Sequence, residues 1–337
     1  MTPAPRCTYL LPIRRVRASE PEMAELALYF ARLAAAGCDV LVVDGSPAPV
    51  FAAHDLAWAA QCRHLAVDPR YRFLNGKVNG IHTGVDAARC ERIIAADDDI
   101  RYTVEDVARA CRLLDGHDMV RPQNHLSPLP WWARMEAARM LINRGTLRTG
   151  DYSGTCAFRR STFRRVGAYD GDVLFDNEEI VRHFAAAGAR IAYARDFFIL
   201  KRPPTLAKWR EQRPRQAYED FGMRAKTALF ALLLPLGLLV ARHRGRRAAA
   251  GYTALITAAA ITLARRGRSG GAARVVPATI PLWAPLWVLE RCLSTYWAMY
   301  WKLRHGGYPF GDRLLTKGTG RAWSTGARAA VTRERAA

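Results

Sequence analysis

Over the first hundred positions, short apolar runs alternate with stretches of helical spacing. Thr8 to Ile13 carries no charge and reads as a strand buried on both faces. Pro21 to Ala36 sets apolar side chains three and four positions apart behind an opening proline, the pattern of an amphipathic helix. Asp39 to Asp44 is a second strand closed by the turn residues Gly45-Ser46-Pro47. Helices are expected near Val50 to Cys62 and Lys77 to Arg89, and Arg92 to Ala96 forms a further strand. This alternation predicts an α/β domain on a mostly parallel sheet covered by helices, with ligands at the carboxyl ends of its strands. Asp44 and the run Asp97-Asp98-Asp99 both stand at such ends.

The pattern changes after Lys226. Thr227 to Ala241, Ala248 to Ala264 and Val275 to Leu289 are apolar and uncharged, yet each is shorter than the roughly 20 residues that cross a bilayer comfortably. Between them lie Arg242, Arg244, Arg246 and Arg247, then Arg265, Arg266, Arg268 and Arg274. Three crossings would put one of these basic loops outside, against the positive-inside rule. A re-entrant hairpin or interfacial helices would keep both on the cytoplasmic side, with Trp283, Trp287, Tyr296, Trp297, Tyr300 and Trp301 as an aromatic belt. A soluble helical subdomain is the simpler alternative. The chain therefore divides into residues 1–225, a sheet domain, 226–304, hydrophobic helices, and 305–337, a loose basic tail.

Composition narrows the choice. A chain of 337 residues, half of them hydrophobic, holds a large core, and a formal charge of +21 suits phosphates, lipid headgroups or nucleic acid. The sequence contains no RNA- or DNA-binding motif and no Gly-rich phosphate loop of the dinucleotide or P-loop kind. Its seven cysteines form no CxxC pair and read as reduced, mostly buried thiols. Met1 to Arg6 lacks an apolar signal region, so the sheet domain is expected in the cytoplasm.

A strand ending in three adjacent carboxylates is costly unless a cation sits there, and the Asp-X-Asp spacing lets two side chains share one hard metal. An acid cluster that merely ends a strand remains the bland reading. The surroundings favour the first. Residues 8 to about 220 resemble family 2 glycosyltransferases of the GT-A fold, through that motif, through Gly154-Thr155-Cys156-Ala157-Phe158-Arg159-Arg160, through Val166-Gly167-Ala168-Tyr169-Asp170, and through Gln212-Arg213-Pro214-Arg215-Gln216, which is similar to the family's Gln-x-x-Arg-Trp.

The resemblance implies that Asp97 and Asp99 hold a Mg²⁺ or Mn²⁺ bridging the diphosphate of a nucleotide-diphosphate sugar, with Asp98 beside them. It assigns Pro12 and Asp44 to the nucleoside, Lys77, Gln212 and Arg215 to the donor, and Gly154 and Thr155 to the acceptor side. The catalytic base falls within Asp176-Asn177-Glu178-Glu179. Ungapped alignment places Asn177 on the family's base position, leaving Asp176 or Glu179, or Glu178 after a shift. Gln216 stands where the family has Trp, and Trp209 or Tyr218 could supply a ring instead.

Together these imply a metal-dependent, inverting glycosyltransferase with a lipid or glycan acceptor at the cell membrane and no nucleic-acid partner. An ionised lipid phosphate acceptor would need no base. A sugar nucleotidyltransferase lacks its Gly-rich loop at Leu11 to Arg15, and a polybasic membrane-binding protein leaves the acids at strand ends unexplained.

Overall fold

The computed structural model describes residues 7–310 and 313–320. An eight-stranded sheet runs in the order β3-β2-β1-β4-β7-β6-β8-β5. Its first half is the alternation read from the sequence with one strand added: β1 (Thr8–Ile13), α1 (Glu20–Ala35), β2 (Asp39–Asp44), α2 (Ala48–Trp58), the unanticipated β3 (Arg63–Ala66), α3 (Gly76–Ala87) and β4 (Arg92–Ala96), all four strands parallel. The second half is mixed. It comprises β5 (Ile100–Arg101), α4 (Val104–Gly116), β6 (Met119–Leu126), α5 (Trp131–Thr146), β7 (Thr155–Arg159), α6 (Arg160–Val166), α7 (Asp176–Ala186) and β8 (Ile191–Lys201). There β7 is antiparallel to both β4 and β6, while β8 runs parallel to β6. Pro122 sits at the register shift in β6, where its missing N–H costs no ladder bond.

Both faces are buried, as the unbroken apolar strands require. Tyr9, Leu11 and Val42 point to a core shared with α1 and α4, and Leu10, Leu41 and Val43 point to one shared with α3 and α7. The register pairs Ile13 with Asp44 and Ala96 with Thr155, so the chain ends of β1, β2 and β4 open on the same edge as the start of β7.

After α8 (Leu206–Glu219), α9 (Arg224–Gly267) reverses at Gly245, whose φ of 80° and ψ of 178° are open to glycine and strained for other residues. The two apolar segments 227–241 and 248–264 are thus arms of one hairpin, tied by the Tyr252 hydroxyl donating to the Leu233 carbonyl at 2.8 Å. The second arm seats on α5 through Gly145 and Gly267, where an added Cβ would run into the opposing backbone. α9 is long and apolar enough to cross a membrane, and 6% of its most apolar stretch is buried. The third apolar segment is split between the short α10 (Ala272–Val275) and α11 (Ala284–His305).

The expected aromatic belt divides. Trp287 is fully buried against Phe230, whereas Trp297 and Tyr300 are exposed with Leu286, Leu289 and Leu293. The tail is not loose at its start: β9 (Tyr308–Phe310) pairs with β10 (Arg313–Leu315), and Lys317 bridges to Val173. Positions 321–337 lie outside the described residues. All seven cysteines are free thiols, five of them buried.

Candidate active site

The strand ends enclose a cleft of about 630 Å³. Among its lining residues are Pro12, Lys77, Asp97, Asp98, Asp99, Gly154, Asp176, Gln212 and Arg215, brought together from across the sequence.

Lys77 stands at its centre because Asn75 caps α3: the Asn75 side chain accepts the Lys77 backbone N–H at 3.1 Å, the usual way to satisfy a first-turn donor. The ammonium then reaches Asp97, the Asp176 carboxylate at 2.8 Å and the Asn177 side-chain oxygen at 2.7 Å. Asn177 donates in turn to Asp97 at 3.1 Å, and Asn75 to Asp176 at 3.4 Å. Lys201, the last residue of β8, meets Asp99 at 3.2 Å, and Arg15 meets Asp98 at 2.8 Å.

The two outer aspartates differ in proton affinity. Burial pushes Asp97 up, but Lys77, Lys201 and the Asn177 amide overcome it and hold the group below the ordinary carboxylate range. Asp99 is raised: burial dominates, Lys201 offsets it in part, and Asp97 and Asp98 reinforce it. Among the described residues Asp99 Oδ1 is buried without a hydrogen-bond partner. Such an oxygen beside a second carboxylate suits a hard divalent cation, whose charge would compensate the burial.

Gly154 backs this pair. Its carbonyl accepts the Asp97 N–H at 2.9 Å, its own N–H is held by the Asn124 side-chain oxygen at 2.9 Å, and a Cβ there would stand 2.7 Å from Asp97 Oδ2. It thus supports the acid cluster from behind. Thr155 does not line the cleft; its hydroxyl donates to the Ala95 carbonyl at 2.7 Å.

Asp44 likewise does not line the cleft. It is buried below the cleft, with His54 Nδ1 at 2.6 Å, His64 Nε2 at 3.2 Å and the Ser46 N–H at 2.8 Å, and His64 Nδ1 faces Asp55 at 3.0 Å. Burial raises Asp44, and these partners more than reverse it, leaving a firmly ionised carboxylate. Its neighbours Val43 and Gly45 line the cleft instead, with Ile13 and Val67. The histidines carried no sequence signal, because nothing in a helix and a neighbouring strand marks them as facing one carboxylate.

The acids of α7 separate too. Glu178 is held by Arg121 at 3.2 Å and Arg182 at 3.1 Å, and Glu179 accepts the Gly320 N–H at 2.8 Å on the side away from the cleft. Of the three, Asp176 alone lines it. Trp209 lines the cleft as well, while Tyr218 is buried in a separate apolar cluster.

The far end belongs to the C-terminal helices. Glu136 of α5 binds Arg139 at 2.7 Å and Arg213 at 3.0 Å, and Asp220 binds Lys226 of α9 at 2.9 Å and Arg291 of α11 at 3.3 Å. Sequence reading missed these, along with Lys201, Asn124 and Glu219; a lone lysine ending the run Phe197-Phe198-Ile199-Leu200 was the one usable signal.

No protein-family model matches the sequence, and no curated protein is similar to it. Solved structures are similar. Mannosyltransferase PcManGT from Pyrobaculum calidifontis, in complex with GDP-Man and Mn²⁺, matches with a TM-score of 0.51 at 18% identity over 88% of this chain and 88% of its own. That coverage exceeds what residues 1–225 alone can supply. Glucosyl-3-phosphoglycerate synthase from Mycobacterium tuberculosis, bound to Mn²⁺, UDP and glucosyl-3-phosphoglycerate, matches at 0.39 and 15% identity, over 58% of this chain and 70% of its own. The fold rests on the first match and is GT-A-like: a mixed, largely parallel sheet with its cleft at the strand ends.

Proposed function

We propose that the protein is a glycosyltransferase that moves a sugar from a nucleotide-diphosphate sugar to a membrane-associated lipid or glycan acceptor, with inversion at the anomeric carbon. The observation that carries this reading is the unpartnered Asp99 oxygen beside Asp97 at a strand end, inside a cleft ringed by Lys77 and Lys201. Asp97 and Asp99 would hold Mg²⁺ or Mn²⁺, which neutralises diphosphate charge as the leaving group departs.

This chain's own residues do the rest. Pro12, Ile13, Gly45 and Val67 wall the end formed by β1 and β2, where the nucleoside fits against apolar surface and backbone. Lys77 and Lys201 face the diphosphate once its oxygens and the cation relieve them of their carboxylate partners. Gln212, Arg215 and Trp209 cover the sugar. The acceptor arrives from the side of α9 and α11, because Lys226 and Arg291 line the cleft while other residues of the same helices, Leu232, Leu236 and Leu293, are exposed and suit a lipid surface. The arginines at the turn of the hairpin, Arg242 to Arg247, and those after its second arm, Arg265 to Arg274, favour the cytoplasmic face of the cell membrane for the catalytic domain.

The test is release of nucleoside diphosphate from a panel of UDP and GDP sugars, with and without Mn²⁺. Metal-dependent release is expected from one of them, and Asp99→Asn should abolish it. Release of pyrophosphate from sugar phosphate and nucleoside triphosphate would instead mark a nucleotidyltransferase. No turnover with any donor would leave a polybasic membrane-binding protein.

A further inference from the structure

We infer that Glu219, the last residue of α8, is the general base that deprotonates a hydroxyl acceptor in this cleft. The inference deepens the glycosyltransferase reading and rests on it.

A base must reach the reacting hydroxyl and have a carboxylate free to take its proton. Seven acids line the cleft: Asp97, Asp98, Asp99, Glu136, Asp176, Glu219 and Asp220. The first three form the cation site. Glu136 is gripped by two arginines, and Asp220 by Lys226 and Arg291. Asp176 has Lys77 on one oxygen and Asn75 on the other. Each of these is a poor proton acceptor, because protonation would forfeit a charge-assisted contact. Among the described residues Glu219 has a single charged neighbour in contact, Arg215 Nε at 3.3 Å.

Its surroundings tune it for the task. Burial pushes the carboxyl up to about 7, with Arg215 and Arg291 pulling down and Asp220 and Asp176 pushing up. A value near neutrality lets the group be ionised before the reaction and still hold a proton after it. Glu219 also precedes Asp220, which Lys226 of α9 and Arg291 of α11 hold, so it lines the part of the cleft that these helices close. The step is balanced. The acceptor oxygen bonds to the anomeric carbon, the bond from that carbon to the diphosphate oxygen breaks, and the acceptor proton passes to Glu219, which returns it to water after product leaves.

The experiment uses the full-length protein in detergent with GDP-mannose or UDP-glucose, Mn²⁺, and two acceptors, octyl glucoside and octyl phosphate. Single-turnover transfer to the hydroxyl of octyl glucoside should rise with pH and level off above about 7 in the wild type. Glu219→Gln should lose about 10² to 10⁴ fold in that rate together with the pH limb, while donor Kd and the thermal midpoint stay put. Transfer to octyl phosphate, already ionised, should be little affected. If Glu219→Gln folds poorly, Glu219→Asp, which keeps the carboxylate on a shorter stem, should retain the pH limb at a reduced rate. An unchanged rate and limb in Glu219→Gln, a loss confined to donor Kd, or transfer to octyl phosphate alone would overturn the assignment. A wild type that turns over no donor would overturn the glycosyltransferase reading itself, and this one with it.

Discussion

Gly154→Ala is the sharpest probe of the proposed cation site, because it adds a single methyl group where the structure leaves no room. The glycine is followed by β7, and its φ is not in the left-handed region, so alanine meets no backbone penalty. The new Cβ would lie 2.7 Å from Asp97 Oδ2 and 3.1 Å from Lys201 Nζ. Ordinary carbon–oxygen contact lies near 3.4 Å, so the carboxylate must retreat by about 0.7 Å. It can do so by swinging into the cleft, which limits the stability cost to about 1 kcal/mol, the low end for overpacking. The retreat exceeds the roughly 0.2 Å tolerance of metal–oxygen distances and breaks the Asn177 contact at 3.1 Å. Mn²⁺ affinity and kcat/KM are each expected to fall by about 10 to 100 fold, with a thermal midpoint close to wild type. Isothermal titration with Mn²⁺ and steady-state nucleotide release measure the two. A variant with wild-type metal affinity and turnover would refute the placement of Asp97 as a ligand backed by Gly154.

Asp99→Asn, which leaves one charged ligand of two, should abolish turnover and most metal affinity; full activity in the presence of chelator would count against the site. Glu178→Gln and Glu179→Gln should destabilise the fold more than they slow chemistry, because both acids are engaged away from the cleft, whereas Asp176→Asn should weaken donor binding by loosening Lys77; donor Kd and thermal melts separate the two outcomes. His64, lowered by burial but raised overall by Asp44 and Asp55, contributes stability that is complete below its unfolded pKa and lost as pH rises through its higher folded value. His64→Asn should therefore cost more stability at pH 5.5 than at pH 9 in denaturant titrations, and an equal cost at both would dismiss the buried ion pair. Arg246→Cys and Ser269→Cys, in a Cys292→Ser background, should both be shielded from an impermeant thiol reagent added outside sealed cells; labelling of Arg246→Cys alone would show that the α9 hairpin crosses the membrane.

Local chemistry was enough to determine three of the four strands in the first half of this protein, and the short, half-buried β3 (Arg63–Ala66), which has no apolar run, was not among them. β1, β2 and β4 lie on the runs Thr8 to Ile13, Asp39 to Asp44 and Arg92 to Ala96, because strands buried on both faces must be apolar throughout and charged residues or turns must end them. The acid triplet was legible for the same reason: a strand end is where buried charge meets a ligand. The hairpin in α9 was half legible, since Arg242 to Arg247 marked an interruption, while the reversal depends on the backbone of Gly245 alone.

Tertiary structure decided which way each candidate side chain faces. Asp176, Glu178 and Glu179 are near neighbours in sequence, and the 100° advance per helical residue sends one into the cleft, one to Arg121 and one to Gly320. Asp44 carries the same strand-end signature as Asp97, yet it is engaged by His54 and His64 and does not line the cleft. Lys201, Arg291 and Glu219 join the cleft only because β8, α8 and α11 fold back across the sheet. Sequence pattern reports how often a side chain is buried. Contacts between separate elements of the fold determine what it is buried against, and no local periodicity encodes that.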